Sequence, residues 1–175
     1  MNLKKASVTE YMDLKKICTD AYALNFHDHW NEGGLEWYLE QEFSVERIMA
    51  DLADDTTEYF FIEHKLKQVG FLKIKTTSST DLPFDHSVVL EKIYLLPECI
   101  GLGIGKWALG TLIEKLEARG TKKLFLAVID TNLSTIAFYE KLGFSYHSKT
   151  RLEIPYFKEE LKGMHRMVKE LNSNK

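Results

Sequence analysis

The chain has 175 residues, 45% of them hydrophobic and 28% charged, ordinary globular usage that excludes disorder, coiled coil and collagen-like material. No apolar run approaches the ~20 residues that span a bilayer, and the polar start Met1-Asn2-Leu3-Lys4-Lys5 does not read as a signal peptide, so a cytoplasmic setting without a membrane partner is expected. The net charge of −3 is uneven: from Ile17 to His64 twelve carboxylates face Arg47 alone, which leaves −11 there and +8 for the remainder, a split that favours two oppositely charged ligands.

The basic excess is dispersed, with no Arg-rich run, which argues against direct nucleic-acid binding. Cys18 and Cys99 come without a CxxC or Cys/His cluster, so neither a disulfide framework nor a structural zinc is expected.

In chain order, Leu3–Ala6 reads as a short strand. Leu14, Ile17, Cys18 and Ala21 then recur at helical spacing, predicting a helix from a Thr9 N-cap to about Asn25. Phe26–Gly34 breaks the pattern and reads as a loop; helices follow at Leu35–Phe43 and Val45–Ala53, the second capped by Ser44. Tyr59–His64 and Val69–Thr77 form a hairpin, Thr76–Asp85 with Pro83 a loop, and Val88–Leu95 a strand. After a glycine-rich turn comes a helix with Leu109, Leu112, Ile113 and Leu116 on one stripe, closed by Gly120. Leu124–Ile129 is apolar enough to be covered on both faces. Asn132–Leu142 is helical with Gly143 at C′, and Phe144–Glu153 and Met164–Leu171 supply closing strands. The expectation is one α/β domain over residues 1–175, with a mixed central sheet of about six to seven strands and helices on both faces.

The turn Gly101-Leu102-Gly103-Ile104-Gly105-Lys106 joins a strand to a helix. Glycines let backbone approach a ligand, and the unpaired first-turn amides with the helix dipole make a phosphate site. A flexible turn is the plain alternative. A Walker loop needs glycine where Ile100 stands and Ser or Thr where Trp107 stands; in a Rossmann fingerprint the third glycine comes one residue later. A pyrophosphate on something other than NTP or NAD is left as the ligand.

Two segments carry a family resemblance: Leu95-Leu96-Pro97-Glu98-Cys99-Ile100-Gly101-Leu102-Gly103-Ile104-Gly105-Lys106, and Asn132 through Ala137-Phe138-Tyr139-Glu140-Lys141-Leu142-Gly143-Phe144. Together they resemble the pyrophosphate loop and the AFYEKLGF helix of the GNAT superfamily of acetyl-CoA-dependent N-acetyltransferases. The sequence departs from the family at Ile100, where Gln or Arg is preferred; weakened CoA affinity is the expectation. Tyr38-Leu39-Glu40-Gln41-Glu42-Phe43, Leu90-Glu91-Lys92-Ile93-Tyr94-Leu95 and Phe157-Lys158-Glu159-Glu160-Leu161 are most similar to bacterial spermidine/spermine N-acetyltransferases of the protease-production repressor type.

The resemblance implies acetyl-CoA as co-substrate, no metal, and by analogy a homodimer. It implies contacts from Ile93, Tyr94 and Leu95 to the pantetheine arm, from Ile100 through Lys106 to the pyrophosphate, and from Asn132 and Lys141 elsewhere on the cofactor, with Asn132 equally readable as an N-cap. Tyr139 resembles the family's general acid and reads otherwise as a core aromatic. Glu91, placed mid-strand on the face of Ile93 and Leu95, is costly there unless paired or used, so it stands as general base or as the ion-pair partner of a Lys or Arg. The amide near Leu95 is the expected oxyanion donor. An acceptor polyamine needs anionic surroundings and aromatic faces, for which Asp28, Glu32, Trp30 and Trp37 are candidates. If the helix extends back to Glu32, that residue shares a face with Glu36 and Glu40. His27-Asp28-His29 lacks a matching cluster for a metal, Gly143–His147 lacks the last glycine of a hydrolase elbow, and Cys99 has no base nearby. A non-catalytic module sensing acetyl-CoA or polyamine is the rival reading.

Overall fold

The computed structural model describes residues 1–77 and 86–172, so most of the stretch read as a loop around Pro83 lies outside the described residues. Strands β1 (Asn2–Lys5), β2 (Thr57–His64), β3 (Lys67–Thr77), β4 (Ser87–Leu95), β5 (Lys123–Ile129), β6 (Ser145–Arg151) and β7 (Gly163–Glu170) build one sheet in the order β1-β2-β3-β4-β5-β7-β6. All pairings are antiparallel except β4 with β5. The helices are α1 (Tyr11–Phe26), α2 (Gly34–Phe43), α3 (Val45–Ala53), α4 (Ile104–Ala118) and α5 (Leu133–Lys141).

Two apolar layers sandwich the sheet. The run Tyr59-Phe60-Phe61-Ile62 shows how: Phe60 and Ile62 join Leu109, Leu112 and Leu116 of α4, while Tyr59 and Phe61 join Leu14 and Ile17 of α1 and Ile48 of α3. A strand buried on both faces has no polar side, so its sequence loses alternation. The β2–β3 hairpin turns on Lys65 and Leu66, both at positive φ.

Four expectations are corrected. Thr9 is not the first cap: Ser7 opens a 3₁₀ turn, Val8–Glu10, with the Glu10 carboxylate accepting from the Ser7 N–H at 3.1 Å, and α1 begins at Tyr11. Phe26–Gly34 contains a 3₁₀ turn, His27–His29, and a β-bridge from Trp30 to Phe157. Helix α2 does not reach Glu32, because Gly33 stands at φ +74° and starts it at Gly34; Glu36 and Glu40 share a face without Glu32. The closing strand is shorter than Phe144–Glu153, running Ser145–Arg151.

Candidate active site

A fork in the sheet organises the site. Strands β4 and β5 pair from Ser87↔Lys123 to Leu90↔Leu126 and no further, although β4 continues to Leu95 and β5 to Ile129. Beyond Leu90 the β4 edge facing β5 keeps its backbone groups free of a ladder. The Leu96 N–H bonds to the Val69 carbonyl on the β3 side, so strand alternation turns the N–H and C=O groups of Ile93 and Leu95 toward the fork. The Leu95 carbonyl accepts from Asn25 Nδ2 at 2.7 Å. Asn25, which sequence reasoning missed, thereby anchors Leu95, the residue whose own N–H is the candidate oxyanion donor.

At the end of β4 lies the glycine turn. Gly101 and Gly103 stand at φ +82° and +77°, and a Cβ at either would meet nothing within 4 Å. Both are needed for conformation, and both open onto free space. The first helical bond of α4 runs from Trp107 N–H to the Gly103 carbonyl, and no side chain caps the helix. The amides of Ile104, Gly105 and Lys106 thus lack intrahelical acceptors, no acid stands in the first turn, and Lys106 adds a cation. The donors, the local charge and the open space fit a pyrophosphate. Gly105 differs, since its Cβ would make only an ordinary contact with Leu95 at 3.6 Å. Ile100 is 57% exposed and Leu102 64%, leaving apolar surface on the loop where the family resemblance expects Gln or Arg.

On α5, Tyr139 is 8% exposed, with its ring edge-on to Phe138 and Phe144 at 5.3 and 5.6 Å. Burial, with the nearby Tyr94 phenol, holds the Tyr139 hydroxyl well above the ordinary tyrosine range, so it keeps its proton. Asn132 is the N-cap of α5: its Oδ1 accepts from Thr135 N–H at 3.2 Å and from the Ser134 hydroxyl at 3.1 Å. Its amide nitrogen is the donor left for another partner. Lys141 is exposed in the last turn of α5.

Glu91 is not on the face of Ile93 and Leu95. Lys73 pairs with Lys92 and Ile74 with Leu90, so Glu91 is an extra residue in β4, a β-bulge. The bulge sends Glu91 and Lys92 to the α1–α3 side while Leu90, Ile93 and Leu95 stay on the α4 side. There Glu91 Oε2 meets Lys73 Nζ at 3.0 Å, its side chain 31% exposed, and Lys92 meets Glu42 of α2 at 2.9 Å. Lys92 holds the Glu42 carboxyl below its ordinary range against the opposing effect of burial. Tyr94, in the same layer, sits among Tyr22, Phe26 and Phe71. Sequence reasoning missed Lys73 and Lys92; the signal was a lysine inside each of two apolar strands, Phe71-Leu72-Lys73-Ile74 and Leu90-Glu91-Lys92-Ile93.

The residues expected to hold the acceptor separate. Trp30 is 6% exposed and packed against Tyr38 and Phe157 at 4.9 Å each, so its ring belongs to the core rather than to an open cation site. The neighbouring bonds Asn31 N–H to Tyr156 C=O (2.8 Å) and Lys158 N–H to His29 C=O (3.0 Å) strap residues 156–158 over it. Trp37 is half-buried, its ring 5.8 Å from that of Tyr156. Asp28 and Glu32 are exposed, as are Glu36 and Glu40; among the described residues Asp28 pairs only with His27. No group of three His, Cys, Asp or Glu among the described residues is arranged to hold a metal, and no helix there is long and apolar enough to cross a membrane.

The mycothiol acetyltransferase of Amycolatopsis mediterranei (strain U-32) is 29% identical over 124 residues, 67% of this chain and 41% of that protein. The [ribosomal protein bS18]-alanine N-acetyltransferase of Escherichia coli (strain K12) is 33% identical over 85 residues, 49% of this chain and 55% of that protein. The chain thus spans about half the length of the curated relatives it matches. In three dimensions it matches the PaiA N-acetyltransferase from Thermoplasma acidophilum in complex with coenzyme A, with a TM-score of 0.75 at 17% identity over 97% of this chain and 98% of that one. At that identity the likeness is one of fold. The model of the acetyltransferase (GNAT) family matches residues 19–144, which include the fork, the glycine turn and α5, and the chain belongs to that family.

Proposed function

We propose that the chain transfers the acetyl group of acetyl-CoA to a primary amine, with Glu91 as base and Tyr139 as acid. The observation that carries this reading is the run of free amides from the fork edge at Ile93 and Leu95 through Ile104–Lys106, together with a buried, protonated tyrosine on α5 near Tyr94 of β4. Bound there, acetyl-CoA supplies an activated thioester carbonyl.

The chain's own groups do the rest. An alkyl ammonium has a pKa of about 10.4 and must lose a proton before its nitrogen attacks. Glu91 Oε2 is engaged by Lys73, so Oε1 is the atom that takes the proton, directly or through a water. The Leu95 N–H donates to the carbonyl oxygen as charge develops there. As the C–N bond forms and the C–S bond breaks, the attacking nitrogen releases its second proton to solvent, the Tyr139 hydroxyl gives its proton to the departing sulfur, and solvent restores the tyrosine proton. Lys106 and the α4 amides hold the pyrophosphate, Asn132 Nδ2 reaches the pantetheine amides, and Lys141 offers a cation to the cofactor.

For the acceptor we propose a polyamine, spermidine or spermine. Support comes from the exposed carboxylates of Asp28, Glu32, Glu36 and Glu40, none of which pairs with a Lys or Arg among the described residues, and from Trp37 beside them. A protein α-amine is the second reading, favoured by the similarity to the E. coli enzyme that acts on alanine of bS18. Release of CoA thiol from acetyl-CoA decides among spermidine, a monoamine of equal length and a peptide beginning with alanine. The expected result is that spermidine has the highest kcat/KM and that salt raises its KM by screening. Preference for the peptide transfers the reading to protein N-termini. Tight acetyl-CoA binding with no acceleration by any amine leaves a sensing module.

A further inference from the structure

Lys73 is 2% exposed, a place where an ammonium is costly unless fully compensated. Its Nζ lies 2.8 Å from Asp51 Oδ2 and 3.0 Å from Glu91 Oε2, and 5.4 Å over the Tyr59 ring. Asp51 is itself held, receiving the Tyr59 hydroxyl at 2.8 Å and Arg47 Nε at 3.2 Å. One ammonium therefore joins α3, β3 and the bulge of β4.

Tying α3 to the sheet needs only the Asp51 contact. The second carboxylate arrives because β4 carries one residue too many: continued without a break from Lys73↔Lys92, the ladder would set Glu91 opposite Ile74, on the α4 face. Other groups around Glu91 are already committed. Lys92, next along β4, is bound to Glu42 of α2, and Arg47 to Asp51.

We infer that Lys73 is a positioning residue for acetyl transfer: it clamps one oxygen of the bulged Glu91 carboxylate and leaves the other aimed at the acceptor nitrogen. The inference rests on the reading of Glu91 as base. A glutamate has three side-chain torsions, and an unanchored one visits geometries in which its free oxygen misses the amine. Fixing Oε2 from a point anchored in α3 removes that freedom, the kind of orientation on which proton transfer and attack depend.

K73M alone would take from Asp51 its nearest cation and destabilise the fold, so the test pairs it with a neutral side chain in place of that carboxylate. D51N/K73M keeps the local charge balanced, and the introduced amide oxygen can still accept from the Tyr59 hydroxyl. Three readouts are taken: acetyl-CoA affinity by calorimetry, kcat and KM for the best amine, and the same pair of changes in an E91Q background. The expected result is unchanged acetyl-CoA affinity, a kcat lower by about 10- to 100-fold with little change in KM, and no further loss of kcat when the pair is added to E91Q. A wild-type kcat in D51N/K73M, or a loss of equal size with and without E91Q, overturns the assignment. If E91Q is slow and the losses add, Lys73 alone loses its role and Glu91 stands as base. If E91Q by itself turns over at the wild-type rate, the base reading falls and the role of Lys73 falls with it.

Discussion

Tyr139 packs between Phe138 and Phe144 through its ring, so removing the hydroxyl oxygen separates chemistry from packing. Y139F is expected to lower kcat by about 10²-fold with little change in acetyl-CoA affinity or melting temperature; steady-state kinetics beside calorimetry checks it, and a stable protein with full activity would remove Tyr139 from the reaction. G103D is the complementary change at the other end of the site. At φ +77° a side chain is strained, and the added carboxylate meets the unpaired amides that face the pyrophosphate, so calorimetry is expected to find acetyl-CoA binding lost in a folded protein. Both residues were legible in the sequence because each sits in a local motif. Glu91 was legible only in part: a carboxylate between apolar strand neighbours is visible as an anomaly, but the bulge that decides its face depends on how β3 pairs with β4. Lys73 stands out locally as a lysine inside an apolar strand, but it and Asp51 lie on separate elements, β3 and α3, and meet only through the fold, which is why no local pattern paired them.

The elements themselves were readable wherever one physical signal dominated. Ser44 caps α3 as expected, its Oγ accepting from Arg47 N–H at 3.3 Å, and Gly120 and Gly143 end their helices at φ +77° and +85°. Where tertiary contact decides, the sequence misled. Trp30 reads like an exposed aromatic among acids, yet the strap at Tyr156–Lys158 buries it. That strap fits tightly over Gly34, where a Cβ would lie 2.5 Å from Tyr156 Cβ and 2.9 Å from Trp30 Cε3. Tyr156 is already in the left-handed region at φ +64° and has little room to yield. G34A is therefore expected to destabilise the protein by about 1–3 kcal/mol despite the better helix propensity of alanine, measured as a drop in the urea midpoint at unchanged slope. Stability equal to wild type would mean that the strap lifts away at small cost.

Across the whole molecule, carboxylates with folded pKa values below their unfolded ones set the response to acid. Asp54 is lowered first by the Thr56 N–H, then by the Thr56 and Thr57 hydroxyls. Asp51 is lowered by Lys73, Tyr59 and Arg47 in spite of burial, and Glu58 by Lys5 and Arg119 in spite of burial. A depressed folded pKa contributes stability above the unfolded value of about 4, and that contribution is lost as pH falls through the folded value. Urea midpoints are expected to stay level near neutrality and to drop below about pH 4, less steeply in D54N. A decline beginning near pH 6 would instead implicate histidines. The strongly acidic stretch from Ile17 to His64 is thus two populations: Asp51, Asp54 and Glu58 hold the fold together, while Asp28, Glu32, Glu36 and Glu40 remain exposed and are expected to set the ionic-strength dependence of acceptor KM.

The fork has a consequence for the free protein. A sheet that stops bonding halfway leaves the N–H groups of Ile93 and Leu95 on β4 to water or a ligand, although Asn25 takes up the Leu95 carbonyl. A pantetheine arm with its own amides would lie there as a short substitute strand, so the co-substrate would complete the architecture of the sheet as well as react. Amide exchange at Ile93 and Leu95 is then expected to slow on adding CoA, and the melting temperature to climb with its concentration, worth about 2.7 kcal/mol at one hundred times Kd. The unliganded protein would be loosest along this seam, and its resistance to unfolding would follow the supply of CoA.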